Sequence, residues 1–343
     1  MTDAPRVSVL TSAYNGERFL PQAIESVLAQ TWRDFEYILV DDASTDSTAE
    51  IIARYAAQDE RIVPLRCETN GGTNRALNRG LEIARGEFVA NLDQDDLALP
   101  ERLSKQVAFL EQHPQVGVVG SFARHIGETN EPLGDTPCLQ EPGRLRWDFL
   151  FRCSVLHSAA CMRRALVLQI GGYSPNHPFA TDYELFSRLL AHTELANVPD
   201  YLVAYRTSEA QTSKARWRIQ HGEVILMLYA MYKQRLGLKA QFQALEALYG
   251  IVRGGKLQEP TEVEGAANLL DALYRCYLEK EAPDTETLEY IHADYAFKLF
   301  KLAHDHQALL PERSVEWKER AEQIDPAILA RPHVQKILSN AQT

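Results

Sequence analysis

VSVLTSAYNGERFLPQAIESVLAQTWRDFEYILVDDASTDST, Val7 to Thr48, is the stretch whose reading decides the fold. Val7–Leu10 is a short β-rich run. Phe19, Leu20, Ile24, Val27 and Leu28 then recur at helical spacing, and Glu36–Val40 is a second apolar, β-rich run. A strand, a helix and a strand in so short a space predict a parallel pair joined by a crossover helix. Ser44 or Thr45 is placed to cap the next helix, which carries Ile51, Ile52 and Tyr55.

The alternation continues outward. Arg61–Leu65 reads as a strand, the residues from Gly72 to Arg85 as a helix, and Phe88–Leu92 as a strand. Pro100 opens another helix, and Val116–Phe122 is a fifth strand. This pattern predicts an α/β domain, a Rossmann-like, mostly parallel sheet flanked by helices. Residues 124–213 are less regular, with prolines at 132, 137, 142, 175 and 178. Recognisable pieces there are HSAACMRR (His157–Arg164), a helix near Tyr183–His192 and a strand near Tyr201–Arg206. From Lys214 the pattern is helical throughout. The expected division is therefore 1–123 and 124–213, as two halves of one domain, followed by an α-helical C-terminal extension over 214–343.

The chain has 343 residues and a formal net charge of −11, which disfavours nucleic acid and anionic membrane as bulk partners. Its five cysteines include no Cys-x-x-Cys pair, which argues against a disulfide framework or a zinc site. The N-terminus lacks the pattern of a signal peptide, and the longest apolar run is Val224–Tyr232. The expectation is a cytoplasmic chain without a transmembrane segment. Peripheral association at the inner face of a membrane, and a homo-oligomer formed through the helical C-terminal region, are left open.

Ligands of open α/β sheets bind beyond the carboxyl ends of the strands. That rule selects Thr11–Asn15 after the first strand, Asp41 and Asp42 after the second, and Asp93, Asp95 and Asp96 in NLDQDD after the fourth. There is no Gly-x-Gly-x-x-Gly and no P-loop, so carboxylates stand where a phosphate would approach. Asp93 and Asp95 offer hard oxygen ligands to Mn²⁺ or Mg²⁺, with diphosphate oxygens completing the shell. An Asp-x-Asp-Asp run also serves as a turn and capping cluster, and Asp42 and Asp182 also read as helix caps.

The same residues resemble the family 2 glycosyltransferases of the GT-A fold. The resemblance runs from the opening stretch through ALNRGLEIARGEFVANLDQDD and LPERLSKQ to LHSAACMRR, IGGY, ATDYELFSRLL and VPDYLVAYR, roughly the first 213 residues. It implies an inverting hexosyltransferase-type enzyme that moves a sugar from a nucleotide-sugar donor, a UDP-sugar, to a carbohydrate, lipid-linked or protein acceptor. The setting it implies is cell-surface polysaccharide, lipopolysaccharide or glycoprotein synthesis. At matching positions Asp42 is the carboxylate that reads the imide edge of a uracil. The loop Ser12, Ala13, Tyr14 and Asn15 contacts the base, and Asn70 stands in the turn after the third strand. Asp93, Asp95 and Asp96 match the region that holds metal, diphosphate and ribose, with Asp93 and Asp95 as metal ligands. Asp182 sits at the place of the catalytic base. Two departures stand out: Thr181 precedes Asp182 where the family usually has a Glu or a small residue, and Ser208 occupies a position where many relatives carry His. Lys214, Arg216 and Arg218 are the nearby cations that could substitute.

Two alternatives remain at this stage. A sugar-phosphate nucleotidyltransferase shares the sheet type but calls for a Gly-rich loop followed by Arg after strand one, where this chain has TSAYNGERF. A catalytically inactive scaffold would not need Asp42, Asp93, Asp95 and Asp182 together. His157 reads as a structural histidine on a strand, His304 and His306 as surface residues, and Tyr229, Met231 and Tyr232 as helix-packing residues.

Overall fold

The computed structural model describes residues 4–208 and 216–340. The expected boundary at residue 213, Lys214 and the start of SKARW lie outside the described residues. The chain forms two compact units, Met1–Val224 and Ile225–Thr343.

In the first unit, β1 (Val7–Ala13) pairs in parallel with β2 (Phe35–Asp41), and β2 with β3 (Ile62–Arg66). On its other side β1 pairs in parallel with β4 (Phe88–Asn91). Every residue of β2 and β4 is buried, as expected for strands covered on both faces. The covering helices are α1 (Leu20–Leu28), α2 (Thr48–Ala56), α3 (Thr73–Ile83) and α4 (Arg102–Gln112). Each buries an apolar stripe, for example Leu20, Ala23, Ile24 and Val27 of α1.

Beyond β4 the sheet becomes mixed. A short β5 (Leu97–Ala98) is followed by β6 (Val116–Ile126), β7 (Pro132–Thr136), β8 (Cys161–Arg163) and β9 (Glu194–Arg206). The order is β3-β2-β1-β4-β8-β6-β9-β5, with β7 on β6. β8 runs antiparallel to both β4 and β6, whereas β6 and β9 are parallel. The second half of this unit carries α5 (Pro142–Asp148), α6 (Arg164–Gln169) and α7 (Thr181–Leu189).

Two expectations for this unit are corrected. α2 starts at Thr48 and has no side-chain cap; Ser44 and Thr45 bond to Asn15 instead. His157 lies in a single 3₁₀ turn, His157–Ala159, which leads into β8.

A buried Arg102 fixes that turn against β4. Its guanidinium donates to the carbonyls of Asn91 (2.6 Å) and Ala160 (3.2 Å). Gln106, one turn on, donates to Val119 and Ala159. Burial holds Arg102 down at about 10.

The second unit is helical: Phe242–Val252, Pro260–Glu281, Thr285–Asp305, Pro311–Ile324 and Pro332–Asn340. Asp284 caps the third of these by accepting from Thr287 N at 2.8 Å. Met231 and Tyr232 are buried, in keeping with a packing role. His306 is not a surface residue: it is 1% exposed, and its two ring nitrogens lie 3.0 Å from Leu257 N and 2.9 Å from Leu302 O. Among the described residues no helix is long and apolar enough to cross a membrane.

The approach of the β4 entry to β1 is tight enough to admit only glycine. A Cβ on Gly86 would lie 2.5 Å from Ser8 N and 2.7 Å from Val7 C, both backbone atoms of β1. Gly86→Ala is therefore expected to cost about 1–3 kcal/mol of unfolding free energy in urea titration. An unchanged midpoint would contradict this packing.

Candidate active site

The first and second strand-end loops are fastened to each other by side chains. The amides of Tyr14, Asn15, Gly16 and Glu17 donate to Gln94 Oε1 (2.9 Å), Ser44 Oγ (3.0 Å), Thr48 Oγ1 (2.8 Å) and Asp46 Oδ2 (3.1 Å). Asn15 sits at φ 49° and accepts from Thr45 N at 2.9 Å. These amides are all engaged, so this loop offers no backbone cradle for a phosphate. Its outward-facing element is the Tyr14 side chain, 46% exposed.

Asp42, the carboxylate expected at the base, is held by the turn after β3. It is 2% exposed, and its carboxylate accepts from Gly71 N (2.9 Å) and Gly72 N (2.7 Å). Asn70 Nδ2 donates to the Asp42 carbonyl at 3.2 Å. Asp42 therefore anchors the turn that opens α3, where Gly72 adopts a φ of 82°. That conformation favours glycine.

The third loop holds the acidic cluster. Asp93 is half-exposed, and its amide donates to Ser158 Oγ at 2.9 Å. Its Oδ1 lies 2.8 Å from Nδ1 of His157. Asn91 Nδ2 bonds Nε2 of the same ring (3.1 Å) and the Tyr173 hydroxyl (2.6 Å). Asp96 is 1% exposed and accepts from Arg206 N at 2.7 Å, while its Oδ2 has no hydrogen-bond partner. The Arg206 guanidinium lies beneath the loop, donating to the carbonyls of Asp95 (2.7 Å) and Gly127 (2.9 Å) and to Gln22 (3.0 Å).

The electrostatics follow from this crowding. Burial, and then the neighbouring Asp93 charge, push Asp95 up to about 6. Burial, Asp95 and Asp93 hold Asp96 well above the usual carboxylate range. Burial also raises Asp182, against the pull of His157 and the Tyr183 amide, with Asp93 adding to the rise. For His157, burial opposes the charged ring, but Asp93 and Asp182 outweigh it and the net shift is upward. Asp93, Asp182 and His157 are thus within reach of one another's fields, and Tyr205 feels Asp96, Asp93, Asp95 and Asp182 together.

Asp182 lies in the first turn of α7, where its Oδ1 accepts from Tyr183 N at 2.7 Å. Asp93, Asp95, Asp96 and Asp182 thus all act on the Tyr205 hydroxyl and lie in one neighbourhood. Asp42 bonds instead to the amides of Gly71 and Gly72 at the start of α3. Sequence reading missed His157 as the partner of Asp93, and also Ser158, Gln94 and Arg206. Their signal was faint: each lies inside a quoted stretch, but none is of a type that announces a role.

Residues 8–168 match the family described as glycosyl transferase family 2. AmsE, the amylovoran biosynthesis glycosyltransferase of Erwinia amylovora, is 32% identical over 257 residues, which cover 72% of this chain and 91% of AmsE. The chain belongs to glycosyl transferase family 2. EpsE of Bacillus subtilis is 47% identical over 175 residues, 50% of this chain; that match spans 62% of EpsE, less than two thirds of its length. The fold is the GT-A fold: the structure of S. aureus TarS 1–349 in complex with UDP-GlcNAc aligns with a TM-score of 0.54 at 18% identity, covering 93% of this chain and 90% of that one. The helical C-terminal region expected from the sequence is present in this family member.

A group whose folded pKa is raised from 3.8 to about 6 destabilises the fold as pH rises through that window. Asp95→Asn is accordingly expected to raise the melting temperature at pH 7.5, by a free energy of about 1–3 kcal/mol. The gain should disappear near pH 3, below the unfolded-state value of 3.8, where the carboxyl is largely protonated in both states. Melting curves at the two pH values check this, and a variant less stable than wild type at pH 7.5 would contradict it.

Proposed function

We propose that this family 2 glycosyltransferase transfers a sugar from a UDP-sugar to an acceptor hydroxyl, with inversion at the anomeric carbon, during assembly of a cell-surface polysaccharide. The observation that carries the reading is that Asp93 and Asp182, from separate stretches of chain, both act on the His157 ring, and with Asp95 on the Tyr205 hydroxyl. The binding of UDP-GlcNAc by TarS and the polysaccharide role named for AmsE support the donor and the setting.

The donor site divides by chemistry. Tyr14 offers a ring face to the base, and the turn Asn70–Gly72, fixed by Asp42, forms the neighbouring wall. Asp93 and Asp95 fit a hard divalent cation. They are carboxylates two residues apart; burial and the neighbouring Asp93 charge raise the proton affinity of Asp95, and Asp96 Oδ2 is a buried oxygen without a partner. Among the described residues no three His, Cys, Asp or Glu side chains cluster as metal ligands, so the remaining ligands would come from the diphosphate and water. When bound, Mn²⁺ or Mg²⁺ would offset charge on the departing nucleoside diphosphate.

The protein supplies the base. As the acceptor oxygen attacks the anomeric carbon, Asp182 takes the hydroxyl proton. The carbon–oxygen bond to the diphosphate breaks, and its electron pair leaves with the UDP. Attack from the face opposite the leaving group inverts the centre. A raised pKa brings Asp182 closer to the operating pH, which suits a general base, while His157 limits the rise so that the ionised form persists. His157 also holds Asp93, so one ring serves both halves of the cleft. The nucleotidyltransferase alternative loses support, because the amides of the first loop are already engaged.

UDP with Mn²⁺ is expected to raise the melting temperature of wild type, and the same additions should have little effect on Asp95→Asn. Asp182→Asn should still bind UDP with Mn²⁺ but lose about 10²–10⁴-fold in turnover of the donor. Differential scanning fluorimetry and coupled UDP-release assays read both outcomes. Absence of stabilisation by UDP, or stabilisation by GDP alone, would refute the donor assignment.

A further inference from the structure

The segment that leads into Asp182 is gripped from two directions. From α3, Asn74, 3% exposed, donates through Nδ2 to the carbonyls of Ser174 (2.6 Å) and His177 (3.1 Å). Its Oδ1 accepts from the Thr181 hydroxyl at 2.6 Å, one residue from the base. A second set of bonds comes from the helix Trp217–Met231. Oε2 of its Glu223 accepts from the amides of both Phe179 and Ala180, each at 2.9 Å. Gln220, one turn earlier, donates to the Phe179 carbonyl at 2.8 Å. Gln220 and Glu223 both belong to the first compact unit, which ends at Val224.

The placement of these bonds matters. α7 begins after Ala180, a residue with no side chain to cap the helix, and no side-chain cap bond is made there. Glu223 supplies an anchoring oxygen from a distant part of the chain. One oxygen holding two successive amides fixes the direction in which α7 sets out, and Asp182 is the second residue of that helix. Negative charge at a helix start is also favoured by the helix dipole. A small rotation of this start would swing the Asp182 carboxylate away from an acceptor oxygen, and misplacement by about 1 Å can lower a rate by about 10²-fold.

We infer that Glu223 and Asn74 are positioning residues that aim the Asp182 carboxylate, completing the catalytic site from within the first compact unit; this rests on the proposed role of Asp182 as base. Neither residue touches substrate in this account. They act on the turnover step through Asp182, and the donor site at Asp93, Asp95 and Tyr14 is independent of them.

The test is a double-mutant cycle on the full chain, reading UDP release from whichever of UDP-glucose, UDP-galactose and UDP-GlcNAc wild type hydrolyses with Mn²⁺, water being the acceptor. Glu223→Ala is expected to lower kcat about 10- to 100-fold with KM for the donor within about twofold. Glu223→Gln, which keeps an acceptor oxygen, should recover most of the loss. In an Asp182→Asn background, Glu223→Ala should lower the residual rate no further, since its effect passes through the base. A purely structural role would instead give additive losses in that background, and this result overturns the inference. Wild-type kcat in Glu223→Ala, with Asp182→Asn inactive, overturns the inference alone. Full activity in Asp182→Asn overturns the role of Asp182 itself. If Glu223→Ala loses its cooperative melting transition, Asn74→Ala takes its place in the cycle with the same expected pattern.

Discussion

Asp93, Asp95 and Asp96 share one turn at the carboxyl end of β4, in a setting that disfavours the charge of Asp95 and Asp96. Like charges held this close, with water partly excluded, repel more strongly than they would at the surface. Much of the surrounding structure answers that repulsion. His157 bonds Asp93, the Ser158 hydroxyl accepts the Asp93 amide, and Arg206 lies beneath the turn. Arg206 donates to backbone carbonyls more than to the carboxylates themselves, so the turn is shaped without its charge being consumed. That leaves the acidic oxygens available to a cation brought by the donor.

A second theme is indirect support. Asp42 bonds the amides that open α3; Asn74 and Asn78 of α3 bond the 173–181 segment; that segment ends in Asp182. A line of hydrogen bonds thus runs from the carboxyl end of β2 to the start of α7. The nucleotide side of the cleft and the acceptor side are parts of one scaffold, although their chemistry is separate. Precision of this kind is what a site needs when reacting groups come from distant stretches of chain.

The sheet was legible because strand runs such as Val7–Leu10 and Glu36–Val40 are apolar on both faces and separated by helix-length intervals. The acidic loop was legible because the strand-end rule places Asp93 and Asp95 at once. The 3₁₀ turn at His157 was not, since HSAACMRR mixes small, polar and basic residues at no diagnostic period. The bonds of Asp42 were hidden for another reason: sequence shows that a carboxylate follows β2, but not that two glycine amides donate to it. His306 failed similarly. Its charged neighbours suggest a surface, whereas the ring is buried against Leu257 and Leu302. Side-chain to backbone bonds between remote segments leave little trace in local pattern, and those bonds build most of this cleft.

The most direct test of the central claim is anomalous diffraction at the manganese edge from crystals grown with UDP and Mn²⁺. The account predicts one strong peak bonded to the Asp95 carboxylate and to diphosphate oxygens, with Asp93 beside it and Asp182 across the cleft. A diphosphate bound without any peak at Asp95, or a manganese ion held elsewhere on the chain, would contradict it.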